Sequence, residues 1–173
     1  RYQSDRFDAY KEALETLIKL ELVYPCFLSR TEVNALLSAP QNTFTTKSIA
    51  KEAISADERL LRENSGMSPA WRLRTAAAVE KTGLMTWYDV ESDNDIPIDL
   101  TGFDDVVIAR KDIGTSYHLS VVIDDAMDEV TLVTRAEDLK PSTHLHRLLQ
   151  ELLGLRTPDY LHHQMLTDSS GQR

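Results

Sequence analysis

Tyr117 and Arg135 lie eighteen residues apart in the segment TSYHLSVVIDDAMDEVTLVTRAED, residues 115–138. Tyr117 opens a run with helical spacing, and Arg135 closes the apolar run VTLVT. A guanidinium can hold a carboxylate or a phosphate through two hydrogen bonds, and a phenol can fix a second polar group of the same ligand. These two side chains are therefore the first candidates for a site that binds a small anion.

The alternation of strands and helices predicts how these two residues are positioned. From residue 105 the chain reads as strand VVIA, helix at about 115–128, strand VTLVTR, helix at about 138–153 and strand YLHHQML. This order favours βαβ units on a parallel sheet, joined by right-handed connections. Ligands of such sheets bind in the crevice beyond the carboxyl ends of the strands, so Tyr117 and Arg135 should converge on one pocket.

A purely structural interpretation of the same residues stays open. Tyr117 could cover the core, and Arg135 could pair with Asp138 or Asp125 across the end of the sheet. Periodicity alone favours this second interpretation.

The composition limits the class of protein. The 173 residues are 42% hydrophobic and 27% charged, which is ordinary for one folded domain. Without a long apolar run or a signal-peptide pattern, no membrane partner and a cytoplasmic location are expected. The single cysteine, Cys26, fits a reducing compartment. A net charge of −9 means that any nucleic-acid contact must be local.

The first hundred residues contain further helix and strand patterns. A helix is predicted at about 4–21 with Ser4 as its N-cap, then a strand at 22–28 and helices near 30–37 and over 47–63. Residues 70–104 are mixed, with the short strand candidates WRLRT, MTWYDV and IPIDL.

The sequence resembles the catalytic domain of class I glutamyl-tRNA synthetases. The run from SYHLSVVIDDAMDEV through TDSSG, residues 116–171, is similar to the second half of that domain. QSDRFDAYKEALETLIKLELVYPCFLSR is similar to a helix and a YPCF turn of the first half, and SPAWRLR to the connective segment. The YPCF turn and the run STHLHRLLQELLGL favour a shortened relative of these synthetases.

The resemblance implies a fold class and a division of the chain. The fold would be α/β, the second part of a Rossmann-like class I aminoacyl-tRNA synthetase catalytic domain with a mixed α+β connective insertion. Residues 1–28 would be a helix and strand of the catalytic domain, residues 29–104 the insertion, and residues 105–173 its βαβαβ second half.

The resemblance also implies an activity. The parent protein would use ATP to make glutamyl-adenylate and would pass the glutamate to a tRNA. In the shortened relatives the acceptor is the queuosine base of tRNA(Asp), and in the full synthetases it is the terminal ribose of tRNA(Glu). A non-catalytic acidic α/β module that binds a partner or a small anion is the alternative from another class.

The resemblance also implies roles for residues at positions that match the family's motifs. Tyr117 and Arg135 match the family's glutamate-binding residues, and Glu137, Asp138 and the backbone near Leu166 lie where the family places its ATP side. The HIGH-like and KMSKS-like elements, which handle the triphosphate, should lie before the first residue and after the last. The chain by itself is therefore expected to be inactive.

Asp124 and Asp125 match a pair of acids in the family, for which a structural role is expected. A local tRNA-facing surface is a further hypothesis, and it rests on eight basic residues: Lys47, Lys51, Arg59, Arg62, Arg72, Arg74, Arg110 and Lys111.

Many members of the family hold zinc through a C-x-C pair and later Tyr and Cys ligands. Here the pair reads Cys26-Phe27-Leu28, and a structural zinc site needs about four donors, so no zinc is expected. Cys26 should instead be a small buried apolar residue. His162 and His163 occupy adjacent strand positions, so one should be packed and the other solvated.

Overall fold

The computed structural model describes residues 2–33 and 54–165 of the chain. A 3-10 turn at Gln3–Arg6 leads directly into the first α-helix, residues 30–33 are also helical, and a second 3-10 turn covers Glu137–Leu139. The helices are α1 (Phe7–Lys19), α2 (Ala56–Asn64), α3 (Thr75–Thr82), α4 (Tyr117–Met127) and α5 (Lys140–Leu153). The strands are β1 (Val23–Cys26), β2 (Ala70–Leu73), β3 (Thr86–Asp89), β4 (Asn94–Pro97), β5 (Val107–Ala109), β6 (Leu132–Ala136) and β7 (Asp159–His163).

Local sequence explains where several helices begin and end. Pro141 lies in the first turn of α5, where its missing N–H has no helical partner to lose, and Gly154 ends the helix with a left-handed φ of 64°. The predicted N-cap at Ser4 is wrong, because Ser4 lies inside the 3-10 turn that precedes α1. That turn adds four residues in front of the regular helix.

The larger sheet has four strands in the order β4-β3-β7-β6. β6 and β7 run parallel, with Arg135 opposite His162, so the predicted β6-α5-β7 unit is confirmed. β3 also pairs in parallel with β7, and β4 forms an antiparallel hairpin with β3. Arg135 is the fourth of the five residues of β6, which places it near the carboxyl end of that strand.

The smaller sheet has three antiparallel strands in the order β1-β2-β5. The prediction that the strand VVIA joins the parallel sheet of β6 and β7 is therefore wrong. A short apolar run favours a buried strand but does not encode the partner or its direction. The strands also pair across the predicted boundaries at residues 28 and 104, and the three-part division of the chain stays a prediction.

Asp105 forms hydrogen bonds to several elements of the smaller sheet. Its carboxylate accepts hydrogen bonds from the Tyr24 hydroxyl at 2.8 Å and from the Thr75 backbone N–H at 3.1 Å. Its backbone carbonyl accepts from the Arg72 guanidinium at 2.7 Å. One residue thus connects β1, β2 and the start of α3 to the segment that enters β5.

The main core lies where α1, α4 and α5 pack on the smaller sheet. Its fully buried leucine and isoleucine side chains come from five different elements: Leu17, Leu73, Ile108, Leu119, Leu145, Leu148 and Leu149. A second, smaller cluster surrounds Cys26, which is buried with Tyr24 and Leu28, as predicted for a small apolar residue. In the part of the chain that the structure describes, no helix has the length and apolar character that crossing a bilayer requires.

Candidate functional site

His146 lies between the two side chains that the sequence singles out. Tyr117 is the first residue of α4 and is 50% exposed, whereas Arg135 is only 8% exposed. The His146 ring lies 5.6 Å from the Tyr117 ring, centroid to centroid, and its Nδ1 lies 3.0 Å from a terminal nitrogen of Arg135. Tyr117 and Arg135 thus contact the same imidazole, and their convergence on one ligand pocket stays a prediction.

Three side chains hold the Arg135 guanidinium. It donates to His146 Nδ1 at 3.0 Å, to His162 Nε2 at 3.4 Å and to the hydroxyl of Thr143. The ring of Tyr160 lies 5.2 Å from the guanidinium carbon, at a distance that allows a cation–π contact. Groups that carry no negative charge therefore fix the orientation of the guanidinium.

The partners of Arg135 differ from those of the purely structural interpretation, in which Arg135 pairs with Asp125 or Asp138. Within residues 2–33 and 54–165, none of the ion pairs includes Arg135. A buried cation without a hydrogen-bonded carboxylate is costly, and a bound anion would relieve that cost. This is the arrangement expected of an anion-binding arginine.

The hydrogen bonds of Arg135 fix the tautomers of its neighbours, because arginine can only donate. His146 must accept at Nδ1, so a neutral His146 carries its proton on Nε2 and donates it to His118 Nδ1 at 3.1 Å. His162 must accept at Nε2, which also lies 2.9 Å from the Thr143 hydroxyl. His162 therefore carries its proton on Nδ1, a buried atom with no partner among the described residues.

Burial and the nearby cation keep these three imidazoles neutral at pH 7. Desolvation lowers the pKa of His118 and, to a greater extent, that of His146, and the charge of Arg135 lowers both further. Burial and the same charge lower the pKa of His162 to about 4. A neutral ring can accept from the guanidinium, whereas a protonated ring could not.

Asp124 connects the N-terminal segment to α4, in keeping with the structural role expected of it. Its carboxylate accepts from the Tyr10 hydroxyl at 2.6 Å and forms an ion pair with Arg6 at 3.0 Å. Arg6 also pairs with Asp128, at 2.5 Å. Asp125 is half-buried, and burial, followed by the charge of Asp124, raises its pKa.

The predicted ATP-side residues follow β6 directly. Glu137 and Asp138 are exposed and lie in the 3-10 turn Glu137–Leu139, and Leu166 lies outside the described residues. Glu137 lines an open cavity of about 540 Å³ together with Lys140 and His144. The 3-10 turn thus presents carboxylates to solvent beside the strand end that carries Arg135.

Lys140 fixes one wall of that cavity. Its ammonium lies 3.0 Å from the buried carboxylate of Asp89 and 5.7 Å from the centre of the Trp87 ring. Burial alone would raise the pKa of Asp89, but the hydrogen bond and charge of Lys140 outweigh it, with help from Ser92, and the pKa is lowered. Asp89 therefore stays charged and holds α5 to β3.

Several basic side chains surround a second cavity, of about 620 Å³, beside the smaller sheet. Arg30, Arg72, Arg110 and Lys111 line it, along with the apolar residues Leu28, Val33, Ala70 and Val107. Arg110 is paired with Asp112 at 2.5 Å, so part of this positive charge is already neutralised.

The other basic residues of the tRNA hypothesis have different surroundings. Arg62 pairs with Glu32 at 2.8 Å and with Glu58 at 2.7 Å, and Arg74 lies over the Tyr24 ring at 4.7 Å. Lys47 and Lys51 lie outside the described residues.

The donors present near Cys26 do not fit the family's zinc site. Cys26 is enclosed by Tyr24 and Leu28, with Val33 and Ile54 packed against them. Across the described ranges, no group of three or more His, Cys, Asp or Glu side chains is arranged to hold a metal ion. That the protein carries no zinc stays a prediction.

The histidine cluster around Arg135 was missed by the sequence analysis, which treated the histidines only as possible metal ligands. His162 is buried and His163 exposed, as predicted from their adjacent strand positions. The signal that was present is the βαβ unit itself, because a parallel β6-β7 pair places the two strand ends, and hence Arg135 and His162, at the same edge.

Comparisons with known proteins identify relatives of this chain. The profile of the family "tRNA synthetases class I (E and Q), catalytic domain" matches residues 1–173. A glutamyl-Q tRNA(Asp) synthetase of Rhodobacter capsulatus is 39% identical over 181 residues, which cover 99% of this chain and 64% of that protein. A glutamyl-Q tRNA(Asp) synthetase of Burkholderia cenocepacia is 33% identical over 174 residues, covering 99% of this chain and 55% of that protein.

A solved structure shows the same fold. The crystal structure of glutamate-tRNA synthetase from Elizabethkingia anophelis superposes with a TM-score of 0.75 at 22% identity, covering 99% of this chain and 35% of that one. The chain thus spans between about half and two thirds of the length of the two curated relatives.

Proposed function

This chain belongs to the family of class I tRNA synthetase catalytic domains (E and Q), and we propose that the full-length protein is an ATP-dependent ligase that activates glutamate and transfers it to the queuosine base of tRNA(Asp). The names of the two relatives, at 39% and 33% identity, support this choice. The observation that carries the proposal is the buried Arg135 guanidinium, which neutral groups orient and no carboxylate neutralises by hydrogen bonding among the described residues.

Arg135 is assigned to the γ-carboxylate of glutamate. The α-carboxylate must keep one oxygen free to react, so a two-point grip by a guanidinium suits the carboxylate that does not react. The same grip favours glutamate over glutamine, because a neutral amide would leave the buried cation without a counter-ion. Tyr117, half-exposed at the first turn of α4, is assigned to a second polar group of the amino acid.

The reaction proceeds in two steps. An oxygen of the α-carboxylate attacks the α-phosphorus of ATP, the bond to the β-phosphate oxygen breaks, and pyrophosphate leaves. A hydroxyl of the acceptor then attacks the acyl carbon, loses its proton, and AMP leaves. Both steps depend on orientation and charge stabilisation more than on acid–base groups. The contribution of the described residues is to hold glutamate in a fixed direction.

Glu137, Asp138 and the backbone near Leu166 are assigned to the ATP side. Exposed carboxylates that follow a strand end can accept hydrogen bonds from ribose hydroxyls or from an adenine amino group. The open cavity beside Glu137 provides room for such a contact. ATP is a substrate here, and no resident cofactor is proposed.

The acceptor and the location complete the proposal. The alternative acceptor is tRNA(Glu). The structural similarity to a glutamate-tRNA synthetase is the observation that supports this alternative. The basic cavity of Arg30, Arg72, Arg110 and Lys111 is the local surface proposed to face the tRNA on this acidic chain. A cytoplasmic location follows from the proposed substrates.

The test is a comparison of substrates on the full-length protein. ATP–pyrophosphate exchange should depend on glutamate and not on glutamine or aspartate. Labelled glutamate should then appear on tRNA(Asp) that contains queuosine and not on tRNA(Asp) that lacks it. Charging of tRNA(Glu) in place of tRNA(Asp) would select the alternative, and no glutamate-dependent exchange would refute the enzyme altogether.

A further inference from the structure

We propose that His146 is a positioning residue of the glutamate site, which sets the direction of the Arg135 guanidinium through Nδ1 and is itself locked by His118 through Nε2. The inference rests on the proposed function, since it assigns a task to Arg135 in glutamate binding. His146 is not expected to touch the reacting atoms. It acts through Arg135, and through the ring of Tyr117 that it contacts.

The position of His146 makes it a fixed reference point. It lies in the middle of α5 and is 2% exposed, and Leu145, Leu148 and Leu149 of the same helix are also buried. Because the helix is packed on the core, the imidazole cannot follow a movement of the guanidinium. A 3.0 Å hydrogen bond to Nδ1 therefore constrains Arg135, which sits on a different element.

The second contact of His146 removes the remaining freedom of the ring. An imidazole can turn over about its Cβ–Cγ bond, and that turn would exchange Nδ1 with a carbon. His118 Nδ1 accepts the Nε2 proton at 3.1 Å, so the turned ring would lose the hydrogen bonds on both sides. His118 follows Tyr117 in the first turn of α4, and the two-imidazole chain thus links Arg135 to the helix end that presents the phenol.

The contact with Tyr117 joins the two candidate ligands of glutamate. The Tyr117 ring meets His118 at 5.4 Å and His146 at 5.6 Å, both in edge-on geometry, and its outer side is open to solvent. Removing the His146 ring would therefore loosen the guanidinium and the phenol together. Thr143 and His162 would still contact Arg135, so the expected effect is misdirection of the charge rather than loss of the site.

Three substitutions distinguish the hydrogen bond of His146 to Arg135 from its hydrogen bond to His118. His146→Asn places an amide oxygen near the position of Nδ1 and can still accept from Arg135. His146→Gln places its amide near the position of Nε2, beside His118, and leaves Arg135 without its acceptor. His146→Leu keeps an apolar volume and removes both hydrogen bonds. His163→Leu, at an exposed histidine of β7, is the matched control.

The measurement is ATP–pyrophosphate exchange by the full-length protein, with KM and kcat determined separately for glutamate and for ATP. His146→Leu and His146→Gln should raise the KM for glutamate on the order of tenfold, since each leaves a buried donor unpaired. The KM for ATP should change less than about twofold. His146→Asn should recover most of the glutamate KM, and His163→Leu should resemble the parent.

Two results would overturn the inference. One is an unchanged glutamate KM in both His146→Leu and His146→Gln while Arg135→Ala raises it, which would leave the proposed function standing. The other is a His146→Asn variant that is no better than His146→Gln, which would mean that ring packing and not the Nδ1 acceptor matters. If His146→Leu does not fold, judged by circular dichroism, the Asn and Gln pair alone decides. An unchanged glutamate KM in Arg135→Ala would instead refute the assignment of Arg135 to glutamate, and an absence of glutamate-dependent exchange in the parent would refute the proposed function.

Discussion

The Tyr10 hydroxyl donates a 2.6 Å hydrogen bond to the carboxylate of Asp124, 114 residues further along the chain. Arg6 reaches the same carboxylate at 3.0 Å, so one acid on α4 anchors the N-terminal segment. The opposite end of α4 begins with Tyr117 and His118. A contact far from the candidate site therefore helps to set the position of the helix that carries half of it.

The first prediction concerns this anchor. Asp124→Ala should lower the free energy of unfolding by about 2–4 kcal/mol, because it leaves the buried Tyr10 hydroxyl without its acceptor and removes one of the two carboxylates that pair with the buried Arg6 guanidinium. Asp124→Asn keeps an acceptor oxygen and should cost less. Urea unfolding followed by circular dichroism measures both. Asp8→Ala, at an exposed acid on α1, is the control, and its free energy of unfolding should stay within about 0.5 kcal/mol of the parent. An equally small change in Asp124→Ala would show that Asp124 does not anchor the N-terminal segment.

The second prediction concerns glutamate binding. Arg135→Ala in the full-length protein should remove a charged two-point contact worth on the order of 2–4 kcal/mol, so glutamate-dependent exchange should fall by well over tenfold. The fold should be intact by circular dichroism. Arg156→Ala, an exposed arginine before β7, is the matched control. Unchanged KM and kcat for glutamate in Arg135→Ala would discard the assignment.

The third prediction concerns pH. The pKa of His162 is about 4 in the folded protein, against 6.5 for a solvated imidazole, so below pH 6.5 the unfolded chain binds the extra proton. The stability that the neutral ring contributes is complete above pH 6.5 and is lost as the pH falls toward 4. Between pH 7 and pH 5.5 the loss from this one group should be about 1 kcal/mol.

His162→Gln isolates that effect. The glutamine can present an acceptor to Arg135 and Thr143, but it does not titrate. Unfolding free energies at pH 7 and pH 5.5 should therefore differ less in the variant than in the parent, while other acids such as Asp125 contribute equally to both. The same pH dependence in parent and variant would show that folding does not lower the pKa of His162.

The fourth prediction concerns metal. Because Leu28 stands where a second thiolate would be needed, and Cys26 is enclosed by apolar neighbours, elemental analysis should find far less than one zinc per chain. A chelator should leave the melting temperature unchanged. Stoichiometric zinc with a chelator-sensitive melt would reveal a site built from other donors.

The fifth prediction concerns tRNA. Replacing Arg30 and Lys111 together with alanine should weaken tRNA binding several-fold and reduce its dependence on salt, because fewer counterions are released on binding. Lys81→Ala, at an exposed lysine of α3 that does not line the basic cavity, is the control. Filter binding at two salt concentrations gives both quantities. Identical affinities in the double variant and the parent would place the tRNA surface elsewhere.

Sequence patterns determined the local structure of this protein. The helical spacing around residues 117–127 and 140–153 and the apolar run before Arg135 placed α4, α5 and β6 within a few residues of their observed bounds. These elements depend on neighbours in sequence, so periodicity and turn residues are sufficient to find them. The same local signals identified Tyr117 and Arg135 as residues at the ends of elements, where ligands of parallel sheets bind.

Only the tertiary structure decided which side chains surround those residues. The partner of β5 is β2 and not β6, because a short apolar strand carries no local information about its neighbour. His146 of α5 and His162 of β7 meet at the Arg135 guanidinium, and His118 of α4 is hydrogen-bonded to His146. Their burial, tautomers and lowered pKa values arise from distances between elements far apart in sequence, and spacing along the chain does not determine such distances.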